Sequence, residues 1–205
     1  MPVIEVFADI WCPFAHVGLR AMVTQRRALG LDDLQLWIRA WPLELVNAQP
    51  LDAHEVAEEV IDLRAQVAPD LFVGFDERAF PTTSLPALAL AARAYRRDAH
   101  TGEQVSLGLR NALFEEGRNI SDTAVLASIA RRFGIDDASP DDIETVHDDW
   151  HDGQRRGVTG SPHFFCGGIG AFCPALDISK DDEGHLHVRT NPAALEHFVA
   201  RCLAS

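Results

Sequence analysis

The stretch ADIWCPFAHVG, residues 8–18, joins a strand to a helix at a cysteine. Upstream, Val3 to Ala8 is short, β-branched and aromatic, and it ends at Asp9, as a buried strand does. Pro13 suits the first helical position, where no backbone N–H is needed. Downstream, Phe14, Val17, Ala21 and Met22, then Ala28 and Leu29, continue an apolar helical face to Gly30. Leu34 to Trp41 then alternates. Leu34, Leu36, Ile38 and Ala40 fall on one face, and Gln35, Trp37, Arg39 and Trp41 on the other. Strand, helix, strand makes a βαβ unit, with parallel strands and a right-handed crossover.

From about residue 50 the pattern turns helical for a hundred residues. His54 to Val67 is amphipathic, and Leu85, Leu88, Ala92 and Tyr95 keep helical spacing, as do Val105, Leu109, Ala112 and Leu113, then Val125, Ile129 and Phe133. SPDD at 139–142 starts another helix, with Ser139 as N-cap, Pro140 in the first turn and acids that suit the helix dipole. It should stop at Gly157. Strand character returns in HFFCG (163–167), and LDIS (176–179) and HLHV (185–188) flank a turn-like KDDEG. Asn191-Pro192 opens a last helix with Leu195, Phe198, Val199, Cys202 and Leu203 on its apolar face. The order is βαβ, helical block, ββα. We therefore expect an α/β domain built from residues 1–48 and 157–205, with an all-helical insertion over 49–156.

The chain has 205 residues, enough to bury a core without staples. Its net charge of −13 opposes nucleic-acid phosphates and anionic membranes. No basic, apolar, small-residue leader precedes the first strand, and no apolar run is long enough to span a bilayer. The expectation is a cytoplasmic protein with no nucleic-acid or membrane partner. Its cysteines, at 12, 166, 173 and 202, should then be thiols rather than bridges.

Cys12 lies where a strand ends and a helix begins. Free N–H groups and the helix dipole there favour an anion, so the thiol pKa should fall. Trp11, Pro13 and Phe14 would form an apolar lip for a substrate, and His16, one turn on, would polarise the thiol or touch a ligand. The competing reading makes Cys12 a small buried hydrophobe. GVTGSPHFF (157–165) places Ser161-Pro162 just before a strand. Only about 5–6% of X-Pro bonds in folded proteins are cis, so local sequence does not foretell that isomer.

WCPFA at a helix start, a long helical insertion, a GVTGSP loop, then strands and a final helix resemble the DsbA-like branch of the thioredoxin superfamily. The chain resembles in particular the FrnE-type dithiol oxidoreductases, which adjoin the kappa-class glutathione transferases and 2-hydroxychromene-2-carboxylate isomerases. FEEGRNISD (114–122) also resembles that branch. The resemblance implies a thioredoxin-like fold with a mixed sheet. It makes Cys12 the exposed nucleophile and Pro162 a cis-proline lying against the thiol. Ser161 becomes the residue whose backbone pairs with an extended substrate. The family's second cysteine is missing, since Ala15 stands in its place.

One thiol can form a mixed disulfide but cannot release it internally. A small thiol such as glutathione or mycothiol is the expected co-substrate, with no tightly bound cofactor. The substrate would be a small thiol or disulfide, or a protein disulfide, and a homodimer is left open. Cys173, in GIGAFCPAL (168–176), is a candidate resolving thiol; Cys166 bridged to Cys173 is another arrangement, and Cys202 reads as core. Two alternatives remain: a thiol-dependent transferase or isomerase, and a non-catalytic binding module. His147 and His151 share a helix face without the Glu of a zincin motif, so no metal is expected. Trp37 and Trp41 read as core, and Trp150 as a candidate wall of a groove.

Overall fold

The structure is a computed structural model and describes residues 3–204; Met1, Pro2 and Ser205, the ends of the expected segments, lie outside the described residues. Its elements run β1 (Val3–Ala8), α1 (Pro13–Ala28), β2 (Gln35–Ala40), a single-turn α2 (Leu43–Val46), α3 (Ala53–Gln66), a 3-10 turn (Glu77–Ala79), α4 (Leu85–Tyr95), α5 (Ala99–Phe114), α6 (Thr123–Phe133), α7 (Pro140–Arg155), β3 (His163–Cys166), β4 (Ile169–Phe172), β5 (Leu176–Lys180), β6 (Leu186–Thr190) and α8 (Pro192–Ala204). The central sheet has the order β2-β1-β3-β4. β1 and β2 are parallel, as a helical crossover requires, and the other pairs are antiparallel.

The central sheet contains a hairpin the sequence did not show. β3 turns at Gly167-Gly168 and pairs with β4, whose Gly170 and Ala171 carry little strand signal. The expected hairpin exists as β5–β6, but it forms a separate two-stranded sheet. Its β6 is held to α3 by Gln66, which donates to the Leu186 carbonyl (2.9 Å) and accepts from the Val188 N–H (2.8 Å).

The two faces of the sheet follow from the period of two. Val6 sits beside Phe164, and Phe164 meets Phe198 of α8 edge to face. Phe7, on the opposite face, packs against Phe165 and Trp41. α7 closes that face, and Gly153 is where it comes nearest: a Cβ there would lie 2.5 Å from the Trp41 ring. The guanidinium groups of Arg39 and Arg156 lie over the Phe7 ring at 4.8 and 5.2 Å. Trp150 is half-buried against this cluster.

The helical block also finishes the sheet. β2 is an edge strand, and its backbone would otherwise be unpaired. The Tyr95 hydroxyl accepts from the Ile38 N–H (2.8 Å) and donates to the Leu36 carbonyl (3.0 Å). Asp149 accepts from the Ala40 N–H (3.0 Å). Tyr95 leaves Trp37 beside it 38% exposed, against the expectation that Trp37 is core. Leu29 and Leu203 are likewise exposed: burial on α1 ends at Met22, two turns earlier, and Leu203 lies off the buried face of α8 that ends at Cys202. Ser139 starts α7 as expected, its N–H and hydroxyl both donating to Asp142 (2.8 and 2.7 Å).

Candidate active site

Cys12 is the N-cap of α1, with Pro13 as the first helical residue. The Cys12 carbonyl accepts the first helical bond, from the His16 N–H at 3.1 Å. Its thiol donates to the Ser161 carbonyl at 3.2 Å, across 149 residues of sequence. The Ser161–Pro162 peptide is cis. Ser161 is fixed in turn, because its Oγ accepts from the Asp9 N–H at 3.0 Å. Pro162 reaches α1 because residue 18 is glycine: a Cβ there would stand 3.3 Å from the Pro162 ring. The two motifs read separately in the sequence are thus one structure.

The expected lowering of the Cys12 pKa is overturned. Cys12 is only 4% exposed. Burial pushes its thiol up to about 12, and hydrogen bonding from the Ser161 hydroxyl and the Ala15 N–H offsets only part of that. The carboxyls of Glu59 and Asp9 raise it further. Desolvation therefore outweighs the helix terminus.

The apolar lip is closed as well. Trp11 is fully buried and stacks on Phe80 with ring centroids 5.7 Å apart. Pro13, Ser161 and Pro162 are buried, and of the expected lip only Phe14 is half-exposed. His16 does not polarise the thiol. Its ring is buried between Phe72 and Phe114, and Nε2 bonds to Glu115 at 2.7 Å. Burial lowers the His16 pKa, while the bond from His16 and those from the Phe72 and Val73 backbone hold Glu115 down at about 2, against its own burial. A neutral imidazole donating to a carboxylate satisfies both. His163 is stacked on Phe165, with Nδ1 accepting from the Thr159 N–H, on the sheet face away from Pro162.

The other cysteines divide into two places. Cys173 is buried just beyond β4, and its N–H donates to the Pro162 carbonyl at 2.9 Å. Cys166 lies at the far end of the same hairpin, paired with Ile169. Three residues of strand, about 10 Å, separate that end from the His163–Phe172 pair, which excludes the Cys166–Cys173 bridge in this fold. The Cys166 thiol instead shares a hydrogen bond with the Cys202 thiol of α8.

Asp9 and Arg110 escaped sequence reasoning, since Asp9 read only as the end of a strand. Both are fully buried. Arg110 donates to the Asp9 carbonyl (3.0 Å) and to Ser106, while the Asp9 carboxylate accepts from the Leu43 N–H at 2.6 Å. Burial pushes the Asp9 carboxyl up to about 6. The one available signal was an Asp three residues before a cysteine at a strand end. A cavity of about 580 Å³ lies elsewhere, along β2, lined by Trp37, Arg39, Tyr95 and Arg96. Among the described residues no group of three His, Cys, Asp or Glu side chains is arranged to hold a metal ion, and no helix is long and apolar enough to cross a membrane.

Residues 3–180 match the DSBA-like thioredoxin domain. No curated protein matches the chain in sequence. Among solved structures, the cytosolic disulfide reductase DsbM from Pseudomonas aeruginosa is similar at 17% identity and TM-score 0.63, with 98% of each chain covered; its complex with GSH is similar too. A probable DsbA oxidoreductase from Streptomyces coelicolor has 14% identity and TM-score 0.66, covering all of this chain and 91% of that one. A 2-hydroxychromene-2-carboxylate isomerase has 16% identity and TM-score 0.60, covering 83% of this chain and 88% of that one.

Proposed function

The chain belongs to the DSBA-like thioredoxin domain family, and from that premise we propose that it is a thiol–disulfide oxidoreductase whose nucleophile is Cys12. The observation that carries the reading is the 3.2 Å contact between the Cys12 thiol and the Ser161 carbonyl. That carbonyl is the acceptor an extended substrate would use in strand addition. In the resting state the thiol occupies it. Docking of a substrate N–H at Ser161 competes for that acceptor and frees the thiol as the substrate arrives.

The sulfur then attacks one sulfur of a small disulfide. A bond forms between Cys12 and that sulfur, the substrate S–S bond breaks, and the departing thiolate takes the proton Cys12 gives up. Glutathione or mycothiol is the small thiol we assign to the site. A reducing cytoplasm suits four cysteines that stand as free thiols.

One observation favours a second reading. A thiol held protonated by burial can donate a hydrogen bond to the thiolate of a bound glutathione, as a transferase or isomerase would require. Replacement of Cys12 by serine separates the two. Under the oxidoreductase reading Cys12→Ser takes up no glutathione from oxidised glutathione, by intact mass, and loses turnover of small disulfides. If the serine variant keeps saturable glutathione binding and activity on an electrophile, the second reading replaces the first.

A further inference from the structure

We propose that Cys173 is the second thiol of this site and resolves the mixed disulfide on Cys12, in the role Ala15 cannot fill. The proposal rests on Cys12 being the nucleophile. Its basis is the placement of both cysteines on one dipeptide. The Cys12 thiol meets the carbonyl of Ser161 from the start of α1, and Cys173 donates its N–H to the carbonyl of Pro162 from the end of β4. The β3–β4 register ends at His163 and Phe172, so Cys173 is the residue directly across from Pro162. Hydrogen-bonded partners of this kind lie about 5.5 Å apart between Cα atoms.

The backbone at Cys173 then leaves the strand. Its φ is +41°, a left-handed value that costs a residue with a side chain and that glycine would adopt freely. The side chain it carries is buried. Burial pushes its thiol up, and negative charge on the Cys12 sulfur raises it further. The remaining cysteines are engaged elsewhere, with the free thiols of Cys166 and Cys202 hydrogen-bonded to one another between β3 and α8.

The sequence of steps balances. Once Cys12 holds a small thiol as a mixed disulfide, the Cys173 thiolate attacks the Cys12 sulfur. A Cys12–Cys173 bond forms and the bond to the small thiol breaks. That thiol leaves carrying the electron pair of the broken bond and the proton lost by Cys173. Two molecules of glutathione return the pair to dithiols and leave as oxidised glutathione. Burial of both thiols keeps the resting pair protonated, so the exchange waits for a substrate to enter.

The test treats wild type, Cys173→Ser and Cys173→Ala with oxidised glutathione and quenches samples over time in acid. Intact mass gives the adducts, and non-reducing peptide mapping gives the bridge. Cys166 and Cys173 share one tryptic peptide, so fragment ions must distinguish them. We expect wild type to gain one glutathione and then lose it, ending lighter by a pair of hydrogens with Cys12 joined to Cys173. Either variant should keep the glutathione on Cys12, with the conversion lost. A wild-type adduct on Cys12 as lasting as the variants' would overturn the proposal and leave the nucleophile assignment standing. A bridge between Cys166 and Cys202 in place of Cys12–Cys173 would also overturn it. No adduct on Cys12 in any of the three chains would remove the nucleophile assignment, and the proposal with it.

Discussion

The pH dependence of Cys12 alkylation follows from its burial. With its pKa at about 12, the thiol is ionised in about one molecule in 40,000 at pH 7.4. An ordinary cysteine near 8.5 is ionised in about one in 13. The thiolate is thus about 3,000-fold scarcer. A more basic thiolate is also a better nucleophile, and a Brønsted slope of about 0.4–0.5 returns roughly 40-fold of that. Chemistry alone therefore leaves Cys12 about 100-fold slower than a free thiol, and the 4% exposure of the residue slows the reagent further. The assay is iodoacetamide labelling in a pH series, quenched and digested with trypsin. Cys12 is the sole cysteine before Arg20, so its peptide reports it alone. We expect the logarithm of the rate to climb with unit slope through pH 10, with no plateau. In denaturant the same peptide should label at the rate of a free thiol. An inflection below pH 9, or native labelling at pH 7.4 as fast as glutathione, would refute the argument from desolvation.

Three further outcomes test the architecture. Tyr95→Phe removes the hydroxyl that serves both Ile38 and Leu36 at the β2 edge, and should cost about 1–3 kcal/mol in urea unfolding; an unchanged midpoint would mean water serves the edge as well. Gly153→Ala puts a methyl 2.5 Å from Trp41, and overpacking of about 1–3 kcal/mol should outweigh the gain of about 1 kcal/mol in helix propensity; a more stable variant would show that α7 shifts freely. Asp9 has its folded pKa raised from 3.8 to about 6, so its contribution is fully present below about pH 4 and is lost as pH rises through 6, about 3 kcal/mol in all. Asp9→Asn should abolish that decline, and parallel urea profiles of variant and wild type between pH 4 and 7 would contradict it.

The fold was legible because its strongest signals are local. Val3 to Ala8 and the alternation to Trp41 read as strands, Pro13 and Ser139 mark helix starts, and the helical periods stand between them. β4 was invisible because Gly170 has no side chain and Ala171 only a methyl group to reveal an alternation. The candidate site was half legible. Cys12, Ser161 and Pro162 were found, since motif and order carry them. Their environment was not, because burial of Cys12 is decided by what the insertion lays over it, including Phe80 against Trp11, and the charge of Glu59 on α3 also acts on the thiol. The same block takes His16 away from the thiol through Glu115, 99 residues on.

The contact between Cys12 and Ser161 also has a history within synthesis. A ribosome reaches residue 161 roughly 8–30 s after residue 12, at about 5–20 residues per second. Throughout that interval β1 lacks its β3 neighbour and the thiol lacks its acceptor and its cover. A nascent chain therefore carries Cys12 as an ordinary thiol with an ordinary pKa. Folding disarms it, and whatever oxidant is present during translation meets the residue in its most reactive form.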